Sequence, residues 1–109
     1  MNKTVLITGA TSGIGKATAI FLASQGARLI LCGRREHRLN DLKKELPTEI
    51  HTLNFDVRDR EAVFDSIAQI PEEFKPIDVL INNAGNAHRL DDVVGADLDD
   101  WDAMIDRNV

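Results

Sequence analysis

The stretch Val5-Leu6-Ile7-Thr8-Gly9-Ala10-Thr11-Ser12-Gly13-Ile14-Gly15 decides the fold. A short apolar run ends in a glycine-rich turn, and a helical pattern begins near Gly13. The order is strand, tight turn, helix. Glycine has no Cβ, so the backbone of such a turn can approach a diphosphate closely. The new helix points unpaired N–H groups and its positive dipole end at the same place. The spacing is T-G-x-x-x-G-x-G rather than the common G-x-G-x-x-G, so its surroundings must separate a nucleotide site from a bare βα turn.

Those surroundings alternate strand and helix. After the turn, Ile14, Ala17, Phe21 and Ser24 fall at helical spacing, and Gly26 stands where a helix C-terminus favours glycine. Arg28 to Cys32 is a short, nearly continuous apolar strand that stops at Gly33. A second helix is expected from about Glu36, with Leu39, Leu42 and Leu46 on one stripe and Pro47 past its end. Residues 49 to 55 suggest a third strand. Asp59 is the expected N-cap of a helix carrying Val63, Ile67 and Ile70, closed by Pro71. Val79 to Asn82 forms a fourth strand that runs into Asn83-Ala84-Gly85. Residues 97 to 109 then show a helical pattern, with Asp97, Asp99 and Asp100 at its start and Trp101, Ile105 and Asn108 on one face.

Repeated βα units with short connections imply an α/β fold. The expected architecture is a doubly wound parallel sheet of Rossmann-like type, here a βαβαβαβα half with strand order 3-2-1-4. Ligands of that fold sit beyond the carboxyl ends of the strands. The glycine turn, Gly33-Arg34-Arg35, Asp56-Val57 and Asn82 to Gly85 would all meet on that rim.

With 109 residues the chain is one domain at most, and 43% apolar content suffices for a core. No apolar run approaches a membrane span or the core of a signal peptide, so a soluble, cytoplasmic protein is expected. The net charge of −5 and the lack of a basic stripe argue against nucleic acid and against an anionic membrane surface. Any anionic ligand must therefore be held by local groups. The single cysteine, Cys32, is expected to be a small buried residue rather than a nucleophile. His37, His51 and His88 show no metal-ligand spacing, and the loop 86 to 95 carries no assignable chemistry.

Arg34 and Arg35 follow the second strand where a cofactor without an extra phosphate would meet an acidic residue. Guanidinium groups suit a 2′-phosphate by charge and by their planar array of donors. NADP over NAD is the expected preference, set against the plainer possibility of two solvated arginines at a helix start.

Taken together, Thr8 to Gly15, Asp56-Val57, Asn82 to Gly85 and Asn108 resemble the N-terminal half of a short-chain dehydrogenase/reductase. The resemblance covers essentially the whole chain. Gly33-Arg34-Arg35-x-x-Arg38-Leu39, Asp56-Val57-Arg58 and Trp101-x-x-Met104-Ile105-Asp106 are most similar to the NADP-dependent 3-hydroxy acid or serine-type members. The resemblance implies that Gly9, Thr11, Ser12, Gly13, Ile14 and Gly15 line the diphosphate and adenosine, and that Arg34 and Arg35 hold the 2′-phosphate. Asp56 and Val57 would flank the adenine, and Asn83, Ala84 and Gly85 would pass beneath the ribose. A short Asn side chain at a strand end can equally tie neighbouring turns together, so a structural role for 82 to 85 stays open. Asn108 would match the family's active-site asparagine, part of a proton relay toward a catalytic lysine, although Arg107 beside it departs from the expected small or apolar residue.

Hydride transfer also needs an acid or base at the substrate oxygen, in this family the Tyr of a Tyr-x-x-x-Lys pair. The sequence contains no tyrosine. Residues 1 to 109 are therefore expected to be the cofactor-binding part of a longer oxidoreductase acting on a small alcohol or carbonyl, homo-oligomeric at full length and inactive without the rest. Alternatives are a non-catalytic NADP(H)-binding module and a half-domain that keeps only the fold. In either case the fourth strand, Asp78-Val79-Leu80-Ile81, would be an open apolar edge.

Overall fold

The structure is a computed structural model that describes residues 2–56 and 58–83. Along the chain, β1 (Thr4–Thr8) leads into α1 (Gly13–Ser24), then β2 (Arg28–Gly33), α2 (Glu36–Glu45), β3 (Ile50–Asn54), α3 (Arg60–Ala68), one 3₁₀ turn (Glu72–Phe74) and β4 (Val79–Asn82). The four strands form one parallel sheet in the order β3-β2-β1-β4, the order expected from the sequence.

Alternation along each strand divides the core in two. Leu6, Ile30, Leu53 and Leu80 point to the face covered by Val63 and Ile67 of α3 and by Phe74. Val5, Ile7, Leu29, Leu31 and Ile50 point to the opposite face, beneath Ala19 and Ala23 of α1 and Leu39 and Leu42 of α2. Each fully buried Leu or Ile contributes roughly 1.5–3 kcal/mol of transfer free energy, so neither layer is dispensable. Helices on both faces of a parallel sheet make this a doubly wound, Rossmann-like α/β fold. No helix among the described residues is long and apolar enough to cross a membrane.

Local chemistry sets the helix ends as the sequence indicates. Gly26 has φ 84°, its N–H donates to Ala23 O at 3.0 Å, and the Ala27 N–H donates to Leu22 O at 3.1 Å. That is a Schellman closure, which an L side chain at position 26 would strain. At α3 the Asp59 carboxylate accepts the Ala62 N–H at 3.1 Å, so Asp59 is the N-cap. The helix ends at Ala68, and Ile70 is buried just beyond it.

The buried face of α1 differs from the expected stripe. Ile14 and Phe21 are 75% and 62% exposed, Ala17 and Ser24 are exposed as well, and the residues turned to the sheet are Gly15, Ala19 and Ala23. Close approach explains the difference. A Cβ on Gly15 would collide with the Gly9 carbonyl, lying 2.9 Å from its carbon and 3.1 Å from Ala10 Cα. Only small residues fit where the helix lies this near the strand end. Lys16, on one flank of α1, shares a hollow with Arg38, Asp41, Leu42 and Glu45 of α2. By helical geometry Ile14, Thr18 and Phe21 then lie on the flank away from α2.

Candidate functional site

Strand register brings the expected segments to one rim. Thr8 pairs with Cys32 on one side and Asn82 on the other, and Cys32 pairs with Leu53, so the segments after all four strands leave the sheet at nearly the same height. They enclose a cleft of about 610 Å³ lined by Thr8, Gly9, Thr11, Ser12, Cys32, Gly33, Arg34, Arg35, Arg38, Phe55, Asp56, Arg58 and Asn83. This size is typical of small-molecule and cofactor sites.

The glycine turn forms one wall. Gly9 has φ 62°, a conformation L side chains rarely adopt, and its carbonyl accepts both the Ser12 N–H at 3.1 Å and the Ser12 hydroxyl at 2.7 Å. The Ala10 N–H donates to Cys32 O at 3.1 Å, which ties the turn to β2. Since the Ser12 hydroxyl is engaged with Gly9, it does not cap α1, and no acidic side chain stands in the first turn. The positive end of the helix is thus left for an anion. A Cβ on Gly13 would meet nothing within 4 Å, so the backbone there is open to a large group.

Of the site residues expected from sequence, Gly9, Thr11, Ser12, Arg34, Arg35, Asp56 and Asn83 line the cleft. Gly13, Ile14 and Gly15 form the first turn of α1 behind it; Ile14 is exposed, and Gly15 is buried as a packing glycine. Val57, Ala84, Gly85 and Asn108 lie outside the described residues, as do the loop 86–95 and the helix expected over 97–109. The cleft also contains Thr8, Cys32, Gly33, Arg38, Phe55 and Arg58. Of these, Gly33, Arg38 and Arg58 carry the sequence resemblance without an assigned role. The motif itself marks Thr8, and Phe55 could have been found as the last apolar residue before Asp56.

Charge in the cleft is opposite to that of the whole chain. Among the described residues the cleft is lined by four arginines, Arg34, Arg35, Arg38 and Arg58, and one acidic residue, Asp56, in a protein of net charge −5. Arg58 Nη2 lies 2.8 Å from Asp56 Oδ2, its Nε donates at 3.1 and 3.2 Å to the two oxygens, and its backbone N–H donates to Oδ1 at 2.9 Å. These hydrogen bonds from Arg58, aided by the more distant charge of Arg34, hold the Asp56 carboxyl down at about 2. Among the described residues no carboxylate pairs with Arg34, Arg35 or Arg38. Cys32 is buried, and burial pushes its thiol well above the usual range, so it serves as apolar floor as expected.

Asn83 completes the rim. Its N–H donates to Thr8 Oγ1 at 3.0 Å, and the Thr8 hydroxyl donates to Asn82 Oδ1 at 2.6 Å. The structural role considered for this segment is thus present. Asn83 Nδ2 is buried and has no acceptor among the described residues, which fits a donor to a bound polar group.

A glycine turn opening a helix after the central strand, on the C-terminal rim of a 3-2-1-4 parallel sheet, defines a dinucleotide-binding type of α/β domain. The sequence model of the short chain dehydrogenases matches residues 3–109, and the chain belongs to that family. It is 48% identical over its full length to sulfoacetaldehyde reductase 2 of Chromohalobacter salexigens and 43% identical to serine 3-dehydrogenase of Rhizobium radiobacter, spanning 44% of each. Against the NADP-dependent 3-hydroxy acid dehydrogenase YdfG of Escherichia coli, 95% of the chain matches at 41% identity and spans 42% of that protein. The crystal structure of serine dehydrogenase from Escherichia coli superposes with a TM-score of 0.72 at 43% identity, over 75% of this chain and 38% of that one. A closed form of serine dehydrogenase complexed with NADP+ gives the same TM-score and identity, over 33% of its chain. The chain therefore spans less than half the length of these relatives.

Proposed function

We propose that residues 1–109 form the cofactor-binding part of an NADP-dependent oxidoreductase acting on a small alcohol or carbonyl compound of the 3-hydroxy acid type. One observation carries the reading: Arg34 and Arg35, unpaired with any described carboxylate, stand on the same rim as the glycine turn. The relatives point the same way, since one is named NADP-dependent and one structure contains NADP+.

Each wall then has a task. The turn 9–15 and the uncapped start of α1 receive the diphosphate, with Gly13 offering backbone without a side chain. Arg34 and Arg35 take the 2′-phosphate. Phe55, Asp56 and Val57 flank the adenine, and Asn83, Ala84 and Gly85 pass beneath the ribose. The nicotinamide, when bound, supplies the hydride acceptor or donor. Proton transfer at the substrate oxygen falls to a Tyr-x-x-x-Lys segment outside these residues, with Asn108 in the relay.

Calorimetric titration of the chain with NADPH and NADH tests this. NADPH should bind more tightly. Arg34→Ala or Arg35→Ala should each weaken NADPH by about tenfold or more, the usual size of a lost charge-assisted hydrogen bond, and leave NADH little changed. Equal affinity of the wild-type chain for both cofactors would overturn the arginine assignment.

A further inference from the structure

Among the described residues, the cleft contains one group that should oppose a phosphate. Asp56 lines the same cleft as Arg34 and feels its charge, so its carboxylate is a rival of any anion for that guanidinium. Yet it is turned elsewhere. The Nε, Nη2 and backbone N–H of Arg58 make four contacts of 2.8–3.2 Å with its two oxygens, the single Nε–H being shared between them, so both oxygens are engaged and most of the acceptor capacity of the carboxylate is taken. Arg58 reaches it from two residues away, on the same turn, whereas Arg34 belongs to the segment after another strand. The local partner has the advantage of proximity.

We propose that Arg58 is a positioning residue for phosphate recognition: by occupying both oxygens of Asp56 it keeps that carboxylate from pairing with Arg34, and so leaves Arg34 free for a phosphate monoester. This rests on the NADP reading. Arg58 also neutralises the negative charge of Asp56, which otherwise repels the incoming phosphate at short range. The residue that contacts the phosphate is Arg34. Arg58 acts through Asp56, with the Nε and Nη2 edge of its guanidinium committed to the carboxylate.

A double-mutant cycle on the chain, read with adenosine 2′,5′-bisphosphate and 5′-AMP, separates the cases. The two ligands differ only in the 2′-phosphate, so the ratio of their dissociation constants isolates its recognition from adenine packing. Arg58 is a surface side chain, 64% exposed, so Arg58→Gln should keep the circular dichroism spectrum of the wild type and lower the thermal midpoint only by the small amount that an exposed ion pair contributes. The wild-type chain should prefer the bisphosphate, and R58Q should lose about tenfold of that preference, as expected when a charged rival takes over a close ion pair. Asp56→Asn in the R58Q background removes the rival and should restore most of the ratio. An unchanged ratio in R58Q overturns the proposal. So does a D56N/R58Q chain that stays as weak as R58Q, because Arg58 would then be contacting the phosphate itself. A wild-type chain with no preference for the bisphosphate is a different failure, that of the NADP reading, and is seen before any variant is compared.

Discussion

The hydroxyl of Thr8 donates to Asn82 Oδ1 at 2.6 Å and accepts the Asn83 N–H at 3.0 Å, which fastens the end of β1 to the end of β4 at the level of the cleft. Thr8→Val keeps the shape of the side chain and removes both bonds. The variant should lose about 1–3 kcal/mol of stability, the cost of leaving part-buried polar groups poorly matched. Urea unfolding followed by circular dichroism measures it, and a midpoint equal to that of the wild type would show that the strand ends are held by the sheet ladder alone.

The two glycines at the start of α1 should respond in opposite ways. Gly15→Ala drives a methyl group into the Gly9 carbonyl, a backbone group that cannot swing aside, and should cost at least the about 1–3 kcal/mol typical of overpacking. Gly13→Ala projects into open space and should change stability by no more than about 0.5 kcal/mol. If Gly13 is where backbone meets the diphosphate, the same variant should bind NADPH and NADH more weakly by similar factors. Thermal unfolding together with cofactor titration distinguishes the two positions.

Asp56 gives a pH dependence with a defined sign. Its folded pKa, about 2, lies below the unfolded value of 3.8, so its stabilising contribution is complete above about pH 4 and is lost as pH falls toward 2. Carbon-detected NMR titration of the side-chain carboxyl should show the low midpoint in the wild type. In Arg58→Gln the midpoint should return toward 3.8, because the hydrogen bonds from Arg58 are the leading cause of the shift. A midpoint unmoved by that substitution would mean that other groups hold the charge.

The outward flank of α1 should make the isolated chain self-associate. Ile14 and Phe21 are largely exposed on it, and β4, outermost among the described strands on its side, leaves Val79 and Ile81 only partly covered. Phe21→Ser should lower the apparent mass in sedimentation at high concentration while shifting stability by no more than about 0.5 kcal/mol. If association persists unchanged, another surface drives it.

Much of this was legible from residue order alone. Glycine after an apolar run, Gly26 after a helical one, and Asp59 before the next each signal a backbone requirement that few other residues meet, and those signals place the elements to within a residue or two. The face of α1 was not legible in the same way. Apolar periodicity ranks Ile14 and Phe21 above Gly15, Ala19 and Ala23, but a helix packed close to a strand end selects for small volume rather than for hydrophobicity. The cleft shows the same division. Thr8 to Ser12, Arg34 and Arg35 stand out by motif, whereas the role of Arg58 depends on a side-chain geometry that spacing does not encode.

Strand β1 is hydrogen-bonded on both sides, to β2 and to β4, and all five of its residues are buried. The amides of such a strand exchange with solvent only through near-global opening, while exposed arginines on the opposite wall move on the time scale of side-chain rotation. The cleft thus joins a slow half and a fast half. Its glycine turn is held by the Ala10 N–H on β2 and by Ser12 on Gly9, and on the proposed reading recognition of the distinguishing phosphate is left to the half that can adjust at little cost.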